Sequence, residues 1–193
     1  MPTPPKNPQN KSSDKASANP NQAAENKENV LNSELAQKIG KVLRLTSLSV
    51  LFAGCAAIVF AAITLVKIGE AKGMTITAAA TANAPIFLHF SKVVAATGVI
   101  LLIAEAMDSF VNPNLTRPKI IQYIATALCC LCAFSFAFFV APQMEQMLSS
   151  LPGNASIQQS FHSLHETSRI LFSGIIIFAW VSLIVPVLYE TKS

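Results

Sequence analysis

The chain has 193 residues, of which 52% are apolar and only 12% are charged, and it carries a formal net charge of +4. The charged share is about half of what a soluble domain carries, which excludes a water-soluble globule. Four cysteines and seven glycines exclude a disulfide scaffold and a collagen-like chain. The composition therefore predicts a small membrane protein with several spans.

The first 40 residues differ in composition from the rest of the chain. Five of the eleven prolines lie in the first twenty residues, and the basic and acidic side chains nearly balance. Such a stretch buries too little apolar area to offset the entropy of ordering it. We therefore predict a disordered cytosolic or stromal tail at 1–40 and a membrane domain at 41–193. A secretory signal peptide is not expected, since no apolar segment follows the start.

Long apolar segments lie between the charged residues. Three uncharged runs reach the roughly 20 residues that a helix needs to cross ~30 Å of hydrocarbon; they are 45–66, 120–144 and 170–189. A further segment, 84–107, is apolar except for His89, Lys92 and Glu105. We predict an all-α integral membrane protein, a four-transmembrane-helix bundle with spans at about 42–67, 84–107, 119–142 and 160–189.

Prolines and small residues predict helix ends and helix contacts. Pro118 is expected to open the third span and Pro142 to close it. Helices in lipid approach closely through small side chains. Two stripes at i, i+4 spacing are therefore predicted to form the helix contacts: Ser49, Ala53, Ala57 and Ala61, and Ala125, Cys129, Ala133, Ala137 and Ala141. Trp180 lies mid-span and is expected to pack inside the bundle or against a partner.

Basic residues near the spans predict the orientation. One side carries Lys38, Lys41, Arg44, Arg117, Lys119 and Lys192, and the other carries Lys67 and Lys72. Because the side with six basic residues is expected to face the cytoplasm, both termini are predicted to lie there, or in the stroma of a plastid. Attraction to anionic lipid accounts for the basic character, so no nucleic-acid partner is expected.

The four cysteines lie near mid-membrane, at Cys55, Cys129, Cys130 and Cys132. Thiolates at one depth favour Cu(I). However, a thiol in hydrocarbon resists ionising, and a buried cysteine behaves as a small apolar side chain. We interpret these cysteines as packing residues.

Polar side chains cluster where the second and fourth spans begin. The cluster consists of His89, Ser91, Lys92, His162, His165, Glu166, Ser168 and Arg169. Both spans begin on the less basic side, so these residues are expected at one membrane face. Ionisable groups within spans tend to face the bundle interior and are functional candidates.

Three interpretations of this polar cluster remain open. In the first, Glu166 pairs with Arg169 or Lys92, and the histidines bond to nearby serines. In the second, His89 and His165 bind a b-type haem or copper. In the third, the group forms a path for protons or small solutes. No nucleophile–base pair, phosphate loop or Rossmann fingerprint is present, which argues against an enzyme.

Two short motifs open the second and fourth spans. Residues 84–91 read APIFLHFS and residues 161–168 read FHSLHETS, while 112–117 read NPNLTR. These motifs resemble those of the transmembrane protein 205-like family, four-span membrane proteins with a domain of unknown function. The resemblance covers about 42–190, implies the four-span fold, and makes His89, Ser91, His165 and Ser168 the family-type positions. Glu166 departs from the family, which usually has glycine there.

The sequence as a whole predicts a non-enzymatic, multi-pass protein of the lipid bilayer. Its expected role is an accessory or assembly subunit that interacts with other membrane proteins, without a cofactor. The alternative is a redox or transport protein that binds haem b or copper through His89 and His165.

Overall fold

The computed structural model describes residues 20–111, 116–148 and 155–190, and every described element is helical. The elements are α1 (Pro20–Ala71), α2 (Ile76–Val111), α3 (Arg117–Ser135), a π-helical segment (Phe136–Val140), α4 (Ala141–Leu148) and α5 (Ala155–Glu190). Within these ranges, four helices are long and apolar enough to cross a membrane: Leu31–Ala71, Thr81–Val111, Arg117–Leu148 and Gln159–Tyr189. The predicted all-α, four-span fold is confirmed.

The tail prediction differs from the structure from Pro20 onward. Residues 1–19 lie outside the described part of the chain, whereas residues 20–40 are helical and belong to α1. Residues 20–35 and residues 36–40 belong to different compact units of the chain. Alanine, glutamate, glutamine and lysine in this stretch favour a helix locally, and Pro20 stands at the first helical position. A helix of this kind forms without burial in a core.

A seven-residue repeat determines which helix faces are buried. Large side chains and small or polar ones alternate along each buried face, as in helices that cross at small angles. On α2 the rows are Phe87, Val94 and Leu101, and Ala84, Ser91, Gly98 and Glu105. On α5 one row is Phe161, Ser168, Ile175 and Ser182, and on α1 the buried face carries Arg44, Leu48, Leu51 and Cys55.

One of the two predicted small-residue stripes forms a helix contact. In the third span Ala125, Cys129, Ala133 and Ala141 are buried. The prediction for α1 is wrong, because Ser49, Ala53 and Ala57 are exposed. Ser49 follows the buried Leu48 by one residue, about 100° around α1, so this stripe begins outside the contact face. The alternating 3–4 spacing of Leu48, Leu51 and Cys55 stays on one face and is the real contact of α1.

Two glycines allow aromatic rings to pack against the backbone of a neighbouring helix. A Cβ atom on Gly54 would lie 2.9 Å from Cζ of Phe90, and one on Gly98 would lie 3.0 Å from the ring of Phe134. In lipid such close approach contributes packing where no hydrophobic drive exists between helices.

The third span does not end at Pro142, as the sequence predicted, but continues to Leu148. Pro118 does open α3, which begins at Arg117. Within a helix the ring of a proline clashes with the carbonyl four residues earlier, and its backbone nitrogen carries no hydrogen to donate. The π segment just before Pro142 widens the helix, with the Ala141 N–H donating to the Phe136 carbonyl. This bond, to the fifth residue back, lets the helix continue through the proline.

Candidate functional site

The polar cluster predicted from sequence does not form a network between helices. The Ser91 hydroxyl donates to the Leu88 carbonyl at 2.6 Å, and the Ser168 hydroxyl donates to the His165 carbonyl at 2.7 Å. Both bonds remain within one helix. Arg169 does pair with Glu166, at 2.7 Å, but on the surface of α5, where their side chains are 65% and 46% exposed.

The histidines lie on different faces of their helices. His165 is half-buried and packs edge-on against Phe87, with ring centroids 6.1 Å apart. His89 is two residues beyond Phe87, about 200° further around α2. It is exposed and lines, with Lys92 and Glu145, a cleft of about 610 Å³ beside α4. His162 is exposed.

This geometry does not fit the predicted haem or copper site. Two axial ligands of one haem must face each other. His165 of α5 packs against Phe87 of α2, whereas His89 lies on another side of α2 and lines the cleft beside α4. Among residues 20–111, 116–148 and 155–190, no group of three or more His, Cys, Asp or Glu residues is placed to hold a metal ion.

Two of the four cysteines lie against the backbones of neighbouring helices. Cys129 and Cys130 are buried, and their Sγ atoms lie 3.7 Å from the Ile175 carbonyl oxygen and 3.8 Å from the Gly98 carbonyl oxygen. Cys55 is fully buried. Each thiol fills the space of a small apolar side chain and makes at most a weak hydrogen bond.

A buried ion pair lies at the other end of the bundle. The Arg44 guanidinium donates from Nε to Oε1 of Glu105 at 2.8 Å. Both residues are more than nine-tenths buried, with 8% and 9% of their surfaces exposed. Glu105 is 16 residues beyond His89, about 24 Å along α2. The pair is therefore distant from the cluster that the sequence indicated.

Two hydroxyl side chains close this ion pair into a ring. Nη2 of Arg44 lies 2.9 Å from Oγ of Ser182, which is 2.8 Å from Oγ1 of Thr126. Thr126 in turn donates to Oε1 of Glu105 at 2.9 Å. Because the carboxylate only accepts and the guanidinium only donates, Ser182 must donate to Thr126. The amide of Gln122 lies 3.4 Å from the second carboxylate oxygen.

Each of the four spans contributes to the ring or to the Gln122 bond beside it. We call the whole arrangement the four-span network; it consists of Arg44 from α1, Glu105 from α2, Gln122 and Thr126 from α3, and Ser182 from α5. An isolated charge within a span is costly, whereas a pair whose remaining donors and acceptors are bonded is tolerated. The network neutralises its own charge and joins all four helices at one level.

Pro186 provides one further bond of the network. A proline donates no N–H, so the carbonyl four residues earlier lacks its normal helical partner. That carbonyl belongs to Ser182, and it accepts from Nη2 of Arg44 at 2.6 Å. The proline within α5 thus creates an acceptor inside the bundle, which the arginine of α1 satisfies.

A second polar layer lies nearer to the ends of α2 and α3. Nζ of Lys119 is 3.3 Å from Asp108, and the Tyr123 hydroxyl donates to the same carboxylate at 3.0 Å. These bonds join the last turns of α2 to the first turns of α3.

Sequence reasoning treated Glu105 as an interruption of the second span and counted Arg44 among the flanking basic residues. The seven-residue repeat carried the missing signal. Glu105 follows Ala84, Ser91 and Gly98 on a buried row of α2, and Arg44 precedes Leu48 by one turn on the buried face of α1. Two opposite charges on buried faces of adjacent helices predict a pair.

Comparison with known proteins finds no family model, no curated protein and no solved structure that matches the chain. The resemblance to the transmembrane protein 205-like family stays a prediction that rests on the motifs given above.

Proposed function

We propose that this chain is a non-enzymatic subunit that supports the assembly of a membrane complex. The observation that carries the proposal is the position of Trp180. This residue lies nine residues before the end of the fourth span, Gln159–Tyr189, and 51% of its surface is exposed on the outside of the bundle. The expectation that it packs inside the bundle is wrong, which leaves a partner as the favoured contact.

The indole N–H of Trp180 favours a hydrogen-bond acceptor. Tryptophan is enriched at the membrane interfaces, where its N–H reaches water or headgroups. An unsatisfied donor within a span is costly. In the part of the chain that the structure describes, Trp180 makes no hydrogen bond. Ile177, one turn earlier, is also exposed, so the two form an outer face of α5 for a neighbouring subunit.

The four-span network supports a structural role. Its two ionisable groups, Arg44 and Glu105, bond to each other and to hydroxyl groups of the other two spans, which favours stabilisation of the bundle over reaction with a substrate. His89 is exposed and His165 is half-buried against Phe87, so the two lie on separate faces and provide no support for the haem or copper alternative.

Replacing Trp180 tests the proposed contact. Native membranes solubilised in a mild detergent should yield the 20.6 kDa chain in a larger species on native gels. Trp180→Leu should lower the fraction in that species at least ~10-fold, as loss of a central interface tryptophan does. The matched variant is Phe60→Leu, since Phe60 is an exposed aromatic residue of α1. Equal effects of both variants, or a wild-type chain that migrates alone, would contradict the proposal.

Four apolar helices indicate an integral membrane protein, and we infer that both termini face the cytoplasm or stroma. Arg44 is buried in the bundle, yet five flanking basic residues still oppose two. In a cysteine-free background, an impermeant thiol reagent should label Met74→Cys on intact cells and Ser193→Cys only after permeabilisation. Labelling of Ser193→Cys on intact cells and of Met74→Cys only after permeabilisation would indicate the opposite orientation. Labelling of both variants on intact cells would exclude a C-terminus that faces the cytoplasm.

A further inference from the structure

A cleft of about 630 Å³ opens at the end of the bundle that holds the four-span network. Residues of α1, α2, α3 and α5 all line it, and Arg44 and Gln122 of the network lie at its inner end. It is a separate surface from the outer face of α5 that carries Trp180.

The cleft carries an excess of positive charge. Its ionisable lining consists of Lys41, Arg44 and Lys119 against Asp108. Arg44 is neutralised by Glu105, and Lys119 pairs with Asp108 at 3.3 Å. Lys41 is exposed and forms no ion pair with any carboxylate that the structure describes. One cation therefore remains for an anion that enters from outside.

The position of Lys41 matches the level of lipid headgroups. It precedes Arg44 by three residues, and the uncharged run of the first span begins at Leu45. Charged side chains at this boundary lie beside the phosphates of the bilayer. The Thr116 hydroxyl also lines the cleft and makes no capping bond at the start of α3, so it is a further donor at that level.

The walls of the cleft are apolar on the side toward the membrane interior. Leu45 and Leu183 line it on that side, and Leu45 is well exposed. The lining thus combines a cation at the headgroup level with aliphatic side chains beside it. A free phosphate ion would use only the cation, whereas a phospholipid would use both.

We propose that this cleft binds an anionic phospholipid, with its phosphate beside Lys41 and part of an acyl chain along Leu45 and Leu183. Basic pockets between membrane helices on the cytoplasmic side bind anionic headgroups in this way. The lipid would contact α1, α3 and α5 directly above the four-span network.

Native mass spectrometry of the full chain in detergent, titrated with dioctanoyl phosphatidylglycerol, tests the proposal. We expect a saturable one-to-one complex, and about five-fold weaker binding for Lys41→Gln, since a basic residue near an anionic surface contributes about 1 kcal/mol. The matched control is Lys38→Gln, which removes the same charge three residues earlier, outside the cleft. It should bind as the wild-type chain does.

Three outcomes would overturn the proposal. Equally tight binding of dioctanoyl phosphatidylcholine would show that the cleft does not select anionic lipid. Equal weakening by Lys38→Gln and Lys41→Gln would indicate attraction to the whole surface. Displacement of the lipid by equimolar sodium phosphate would identify a phosphate-ion site instead of a lipid site.

Discussion

Replacing Glu105 with alanine is expected to lower the free energy of unfolding by about 3–5 kcal/mol, because Arg44 would remain buried without its counter-ion. Thr126 and Gln122 would lose their acceptor as well. The loss should appear as a lower melting temperature in detergent and as unfolding at a lower mole fraction of SDS. A change below ~1 kcal/mol would contradict burial of the pair.

Two variants isolate the cause of this effect. Glu166→Ala removes the same side chain from the exposed pair with Arg169 and should change stability by less than ~0.5 kcal/mol. Glu105→Gln keeps an oxygen acceptor for Arg44 and for Thr126 but removes the negative charge. It should fall between the wild type and Glu105→Ala.

Replacing Phe172 with alanine is expected to cost about 3 kcal/mol, the low end of the range for a buried phenylalanine. Phe172 is 1% exposed, and its ring packs edge-on against Phe136 and Phe87, with centroids 4.6 and 5.5 Å away. Within a bilayer the transfer from water contributes less, whereas the cavity and the lost ring contacts contribute fully. The same unfolding titration measures this loss.

The control for this substitution is Phe138→Ala in the π segment. Phe138 has the same side chain, but 61% of it is exposed, so it faces lipid rather than the core. Its replacement should change the free energy of unfolding by less than ~0.5 kcal/mol. Equal losses at both positions would show that the aromatic contacts of Phe172 contribute nothing specific.

The spans were predictable from sequence because their signal is local. A run of about 20 uncharged residues must be helical to cross the hydrocarbon, whatever its neighbours are. The uncharged run 45–66 therefore lies within α1, and the opening proline Pro118 marks the start of α3. Pro142 was harder to interpret, since whether a proline ends a helix depends on a π turn that composition does not encode.

The site was less predictable, because it depends on which faces of the helices meet. The histidines were predicted as site residues from their residue type alone. Phe87 contacts His165, whereas His89 lies on a different side of α2, so the two histidines do not meet. Glu105 and Arg44 are 61 residues apart in the chain, and only the antiparallel packing of α1 and α2 brings them to one level. The seven-residue repeat of α2 is the local feature from which that burial was readable.

Pro186 and the network illustrate one physical rule of proteins in lipid. A backbone carbonyl that loses its helical partner must find another within the protein. Arg44 supplies the donor for the Ser182 carbonyl, which lies four residues before Pro186. Arg44 thus satisfies both a carboxylate and a backbone group.

The most direct test of the four-span network is a double-mutant cycle on its ion pair, measured by SDS unfolding of the full chain. Arg44→Leu and Glu105→Leu should each destabilise the bundle by about 3 kcal/mol or more, because each leaves a buried charge alone. The double variant, which leaves no charge, should lose at least ~1.5 kcal/mol less than the sum of the single losses. Single losses that add to the double loss within about 0.5 kcal/mol would show that Arg44 and Glu105 are not coupled and would contradict the network.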